Sequence, residues 1–253
     1  MLILISPAKR LNVNDIIETD TTTNPFFIKE AEFLVTSLRK KTPREISKLM
    51  GISDSLAKLN SQRFIDWSKD HSGARQAIFT FDGDVYSGLD AYNFSKNDLK
   101  TAQKYLRILS GLYGVLRPLD HLWPYRLEMG TKIKVRQHNN LYSFWSKEVS
   151  KRINQEIAES KSQLVLNLAS NEYSKVIDRK ALSKKIIDVT FKDKKNGIYK
   201  VISFNAKKAR GMMAKYVIKN RIRELDKVKN FCDGGYAFSS DDSSTDTLTF
   251  LKD

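Results

Sequence analysis

Residues 108–120 read ILSGLYGVLRPLD, an apolar stretch interrupted by Gly111 and Gly114. Just upstream, Ser95-Lys96-Asn97-Asp98 has the form of a helix N-cap, so the spacing predicts a helix from there to about Leu109. After that helix, Leu109-Ser110-Gly111-Leu112-Tyr113-Gly114-Val115 fits the helix-hairpin-helix pattern of an apolar residue, glycine, an apolar residue, any residue and glycine. Glycines permit a tight turn with positive φ between two helices. Exposed amides at the start of the second helix can then meet a phosphate oxygen. Ser110, Gly111, Leu112, Tyr113 and Gly114 are therefore candidate phosphate contacts, in an element spanning about 95–120. A C-cap glycine followed by an ordinary turn is the alternative, and Pro118 requires any second helix to be short or displaced.

Working outward, LILI (2–5) is a short strand and QLVLNL (163–168) a buried one, while QAIFTF (76–81) is a third strand closed by Asp82-Gly83-Asp84. Asn24-Pro25 opens a helix with Phe27, Ala31, Leu34 and Leu38 at helical spacing. Thr42-Pro43-Arg44-Glu45 is a capping box starting a helix that stops near Gly51, and residues 53–68 are helical as well. Residues 141–159 form a long helix with Leu141, Trp145, Val149 and Ile153 on one stripe. KKIIDVTFKD and GIYKVISF flank Lys195-Asn196-Gly197, and Asn-Gly between β-branched runs marks a hairpin. A helix over about 206–225 and a short C-terminal strand follow. Without a regular βαβ rhythm, this order predicts an α+β fold: a single mixed-sheet domain over 1–253 with surrounding helices.

Composition narrows the function. With 44 Lys and Arg against 29 Asp and Glu, the chain carries a formal charge of +15 and a pI near 9.7. Residues 175–229 hold 18 basic and 5 acidic side chains, a net of +13, while the segment from Phe231 is acidic through Asp233, Asp241, Asp242, Asp246 and Asp253. Basic residues concentrated in this way suit a polyanion, nucleic acid above all. The alternative is a basic enzyme whose charge serves solubility. No stretch approaches the roughly 20 apolar residues that span a bilayer, so no membrane partner is expected. The N-terminal MLILISPAKR reads as a strand rather than a signal peptide. The single Cys232 gives no argument for export, which points to the cytoplasm. His71, His121 and His138 are scattered, and the pattern calls for neither a metal nor another cofactor. Nothing in the composition sets the oligomeric state.

Five constellations bear on chemistry or binding. Ser6-Pro7-Ala8-Lys9 matches S-x-x-K, but the S-D-N and K-T-G elements of that acyl-transfer machinery are missing from the chain. Asp82-Gly83-Asp84 is either a turn or a carboxylate pair, and it lacks the rest of a calcium loop. Asn167, Ser170, Asn171 and Glu172 follow a buried strand, where polar groups face a pocket or cap the next helix. On the helix after residue 206, Lys208, Lys215 and Lys219 fall on one side and Lys207, Arg210 and Arg221 on another. Arg117, Arg126, Glu128 and Lys132 lie in a charged, proline-containing stretch that reads as a loop.

ISPAK (5–9), FDGDVYSGLDA (81–91), LSGLYGVLRPLDHLWPYRLEMGTK (109–132), NLASNEYSKVI (167–177) and FKDKKNGIYKVISFNAKKARGMMAKY (191–216) together resemble the signature blocks of the bacterial YaaA family of peroxide-stress proteins, in the family's order. The resemblance implies one α+β domain of unusual fold, with a positively charged cleft and a helix-hairpin-helix element. It also implies binding of duplex, bubbled and junction DNA, protection in oxidative stress and ties to recombinational repair. The expected DNA contacts are then the 110–114 turn with Arg117, Arg126, Lys132, Lys207, Lys208, Arg210 and Lys215, and Lys9 adds to the basic cleft. A DNA-processing enzyme, a base or lesion glycosylase or lyase, is the alternative. Lys9 or Lys207 would then work beside a carboxylate, with Lys9, Asp84, Glu128 and Glu172 as the catalytic candidates. A small-molecule or metal-handling stress protein is the third reading.

Overall fold

All four side chains of Leu2–Ile5 are buried, so this strand has no wet face and belongs in the interior of a sheet covered on both sides. The structure is a computed structural model that describes residues 1–14, 21–70 and 74–253. The chain begins β1 (Leu2–Ile5), β2 (Arg10–Leu11), α1 (Ile28–Arg39), α2 (Pro43–Met50), α3 (Asp54–Asp66), β3 (Arg75–Gln76), α4 (Ala77–Thr80), β4 (Phe81–Asp82), α5 (Asp84–Leu89) and α6 (Lys96–Tyr105). It continues through β5 (Leu106–Ser110), β6 (Gly114–Leu116), β7 (His121–Leu122), α7 (Leu141–Ser160), β8 (Val165–Asn167) and α8 (Asn171–Ser174). The last part holds β9 (Ile186–Lys195), β10 (Ile198–Lys200), α9 (Ser203–Lys219), α10 (Leu225–Val228), β11 (Ala237–Ser244) and β12 (Thr247–Lys252).

Eight of these strands form one mixed sheet, in the order β11-β12-β9-β8-β1-β5-β6, with β10 paired to β9. The expected mixed sheet with surrounding helices is what forms. Its middle is more regular than the sequence suggests: β5, β1, β8, β9 and β12 run parallel. The antiparallel pairs are β5–β6, β9–β10 and β11–β12. The caps form where the sequence places them. Thr42 and Glu45 complete a capping box, as do Ser95 and Asp98, and Gly51 closes α2 in the left-handed region at φ 61°. Asn196 and Gly197 turn β9 into β10 with φ of 54° and 78°, the positive values this hairpin type requires. No helix among the described residues is long and apolar enough to cross a membrane.

Two readings change. QAIFTF is not a strand: Ala77–Thr80 makes a single helical turn between the two-residue strands β3 and β4. The amides of Ala77 and Ile78 donate to the carbonyls of Asp120 and Pro118, so this apolar run reflects full burial rather than sheet pairing. The second change is larger. The helix expected to reach Leu109 ends at Tyr105; Leu106 is already extended (φ −100°, ψ 137°) and opens β5, whose Ile108 lies opposite Ile5 of β1. All five residues of β5 are buried, and the parallel pairing with β1 overrides the helical propensity of the segment.

Gly111 and Gly114 therefore belong to a β-hairpin, with Ser110 opposite Gly114, and the expected helix-hairpin-helix is absent from residues 95–120. Ser110 Oγ accepts the amides of Leu112 (3.2 Å) and Tyr113 (2.9 Å), the same amides that the glycine pattern would offer to a phosphate. Ser110, Leu112 and Tyr113 are buried, as are both glycines. The glycines answer to packing. A Cβ on Gly111 would lie 2.2 Å from the Leu127 carbonyl oxygen; Gly114 combines φ 67° with a would-be Cβ 2.8 Å from the Trp145 ring. With its Leu112 and Tyr113 amides taken by Ser110 and its residues buried, the 110–114 turn offers no phosphate anchor. Gly111→Ala should lower unfolding stability by about 1–3 kcal/mol, the usual range for overpacking, read from urea denaturation. Unchanged stability would contradict the buried-turn account.

Candidate functional site

Strand order identifies where a ligand would sit. From β1 the chain goes to β5 on one side, and from β8 it goes to β9 on the other, so the two neighbouring strands send their connections in opposite directions. In open parallel sheets the crevice at such a reversal, outside the carboxyl ends of the strands, is the usual ligand position. A cavity of about 590 Å³ opens there, lined by Ser6–Arg10 after β1, Ser170–Tyr173 after β8, Asp82–Val85 around the start of α5, and Lys207 and Arg210 of α9.

The two strand ends are tied together across the cavity floor. The Ser170 amide donates to Ser6 Oγ at 2.8 Å, and Ser6 Oγ donates to Ser170 Oγ at 3.3 Å. Tyr86 donates its hydroxyl to the Ser6 carbonyl at 3.2 Å. Burial pushes the Tyr86 and Tyr173 hydroxyls well above the ordinary tyrosine value, so both stay protonated donors at neutral pH.

The four groups proposed from sequence as catalytic candidates come together here. Lys9, Asp84 and Glu172 line the cavity, and Lys9 Nζ lies 3.0 Å from Glu128 Oε2. Glu128 also accepts from Arg126 at 2.9 and 3.2 Å, and Glu172 accepts the Gly130 amide at 3.2 Å. Glu128 and Glu172, with Lys132, line a second depression of about 820 Å³ beside the first. The Asp84 carboxylate makes no hydrogen bond or ion pair with any described residue, nor does the Lys207 amine. Arg210 Nε is buried without a hydrogen-bond partner, and burial lowers this guanidinium from its ordinary value while Asp188 opposes the shift. Cations and carboxylates thus alternate around one opening. Such a set can hold an anionic group at Arg210 and Lys207 and move a proton through Asp84 or Glu172.

The basic residues expected to touch DNA divide in two. Arg117 is committed within the chain: it pairs with buried Asp120 at 2.9 Å, donates to the Asn24 carbonyl at 2.8 Å and covers the Phe26 ring at 4.2 Å. Lys9 and Arg126 share Glu128, and Lys215 pairs with Asp90 at 2.9 Å. Lys132, Lys207 and Lys208 are exposed and carry no ion pair. Only the two on α9, Lys207 and Lys208, lie in the strongly basic 175–229 region.

Sequence reasoning missed Arg10 with Asp82, paired at 2.6 Å on the cavity rim, and missed the buried tyrosines beneath it. The signal for Arg10 and Asp82 was present only as pairing, since β2 and β4 are two residues each and place Arg10 opposite Asp82. Among the described residues no group of three or more His, Cys, Asp and Glu side chains is placed to hold a metal ion, and His71 lies outside them.

The family model for peroxide stress protein YaaA matches residues 1–242, and the chain belongs to that family.

The Lys9–Glu128 contact is a poor stabiliser, because the Lys9 side chain is 63% exposed. A double-mutant cycle on Lys9→Ala and Glu128→Ala, read by chemical denaturation, should give a coupling below about 1 kcal/mol. A larger coupling would assign the pair to folding rather than to the site.

Proposed function

We propose that this member of the peroxide stress family binds DNA through backbone phosphates, with little sequence preference, as part of protection or repair under oxidative stress. The observation that carries this reading is the exposed, unpaired state of Lys207 and Lys208 on α9, inside the most basic stretch of the chain. Unpaired lysines break no existing contact when they turn toward a phosphate, whereas Lys215 would first have to leave Asp90. Lys132 supplies a further free cation near the second depression, and Arg210 one within the cavity. Phosphate contacts of this kind position a protein and read no sequence.

The convergence of Lys9, Asp84, Glu128 and Glu172 favours a second reading, in which the same protein processes a nucleotide held in the cavity. A lysine amine would add to the open-chain C1′ aldehyde of an abasic sugar, and the carbinolamine would lose water to give an imine, with a carboxylate taking the amine proton and returning it to the departing hydroxyl. Borohydride reduction on abasic duplex separates the two readings: an adduct that is lost in Lys9→Ala or in Lys207→Ala while duplex binding is retained supports chemistry, and absence of any adduct with the wild type removes it.

Binding should weaken steeply with salt, because each neutralised phosphate releases counterions. Replacing Lys207 and Lys208 together by alanine should flatten the slope of log K against log salt by about 2, while Lys215→Ala should leave that slope unchanged. Equal slopes in all three proteins, measured by fluorescence anisotropy, would remove α9 from the interface.

A further inference from the structure

Ile198, Val201 and Phe204 are 69%, 54% and 61% exposed, three of the seven large hydrophobic side chains left exposed among the described residues, and they fall within seven positions. Phe204 sits in the first turn of α9, so Lys207 and Lys208, three and four residues on, rise from the same side of the helix. Ile198 and Lys200 share one face of β10 by strand alternation, while Tyr199 between them is bonded to Asp253. Lys195, Lys200, Lys207 and Lys208 are all exposed and make no ion pair. Their neighbours Lys192 and Lys194 are neutralised by Asp242 and Asp253. The acidic C-terminal strands thus quench one part of this lysine-rich segment and leave charged the part that surrounds Phe204.

We propose that Phe204, flanked by Ile198 and Val201, is a stacking platform for unpaired bases, and that the four free lysines hold the phosphates of the same strand. This rests on the DNA-binding reading and deepens it from backbone contact to recognition of unpaired DNA. A ligand matched to the patch must carry flat apolar faces among regularly spaced anions. A single strand does; a duplex keeps its bases in the stack and offers Phe204 nothing to cover. The position favours a strand over a bilayer, because Lys207 lines the recessed cavity as well as flanking the platform. A flexible strand can pass from the open patch into that recess, which a planar membrane cannot enter.

The test uses the full chain with a labelled oligothymidylate of about 12 nucleotides, a length within the span that such surfaces cover, and with a blunt duplex of similar length. Phe204→Ala should weaken single-strand binding roughly tenfold and leave duplex binding within about twofold of wild type. Phe204→Trp should retain single-strand affinity and show tryptophan quenching on the oligonucleotide. Lys207→Glu with Lys208→Glu should weaken both ligands. Single-strand affinity unchanged in Phe204→Ala overturns the platform while duplex binding keeps the DNA reading standing. Absence of salt-sensitive binding to either ligand by the wild type overturns both. Loss in Phe204→Ala of binding to phosphatidylserine vesicles, or of self-association in sedimentation, with oligonucleotide affinity intact, would likewise overturn it in favour of a membrane or a second copy. Because Phe204 is exposed, the thermal unfolding curve of Phe204→Ala should overlay the wild type, which keeps a folding defect from imitating the result.

Discussion

The crossing of α5 over α9 sets one wall of the cavity and the distance of that wall from the strand ends. At that crossing two glycines face backbone: a Cβ on Gly211 would lie 1.8 Å from the Val85 carbonyl oxygen, and one on Gly88 would lie 2.1 Å from that of Lys208. Glycine is present at both positions because the helices approach to backbone contact there. The approach brings the start of α5, with Asp84, against the stretch of α9 that carries Lys207 and Arg210. At the far end of α5, Asp90 in a left-handed C-cap receives Lys215 from α9 at 2.9 Å. Lys215, expected from sequence to meet DNA, is paired with Asp90 across this crossing.

Electrostatics follows from the same packing. The acidic C-terminal segment looks like a separate tail in the sequence, but β12 lies parallel to β9 within the main sheet. Lys185, Lys192 and Lys194 pair with Asp246, Asp242 and Asp253. Part of the net charge of the 175–229 region is thereby cancelled within the fold. Lys195, Lys200, Lys207 and Lys208 keep their charge around β10 and the first turns of α9, and Lys207 reaches the cavity, so the effective basic surface is smaller than the composition implies.

Much of the architecture was legible because it rests on local chemistry. Both capping boxes, the Asn196-Gly197 hairpin, the buried strands at residues 2–5 and 165–167, and the long α7 all follow from caps, turn residues and apolar periodicity. The failures lie where a distant partner decides. LRILS is a strand because β1 is there to pair with it, and the 111–114 glycines serve Leu127 and Trp145, residues far along the chain. A glycine pattern reports that backbone comes close to something; it does not report whether that something is a phosphate or the protein's own carbonyl. Lys9, Asp84 and Glu172, singled out from short polar motifs after strands or at a turn, do line one cavity. The pairing of Arg10 with Asp82 was not legible, because it is made by two-residue strands far apart in the chain.

The alternation of charge around the cavity bears on how a polyanion would use this surface. Asp82, Asp84 and Glu172 on its walls repel a continuous phosphate backbone, whereas Lys207 and Arg210 on the α9 wall can accept a single anionic group. A duplex lying across the opening would bring several phosphates near those carboxylates and gain little. The exposed α9 face has no carboxylate among Phe204, Lys207 and Lys208, and suits a backbone much better. The two surfaces share Lys207, and on the proposed reading their roles differ. The open face collects the strand, and the mixed-charge recess admits one nucleotide at most. Carboxylates at a site meant only to grip DNA would be a liability. On the proposed reading their placement, held by the Ser6–Ser170 bonds and the glycine crossing, would make the recess more selective than the open face.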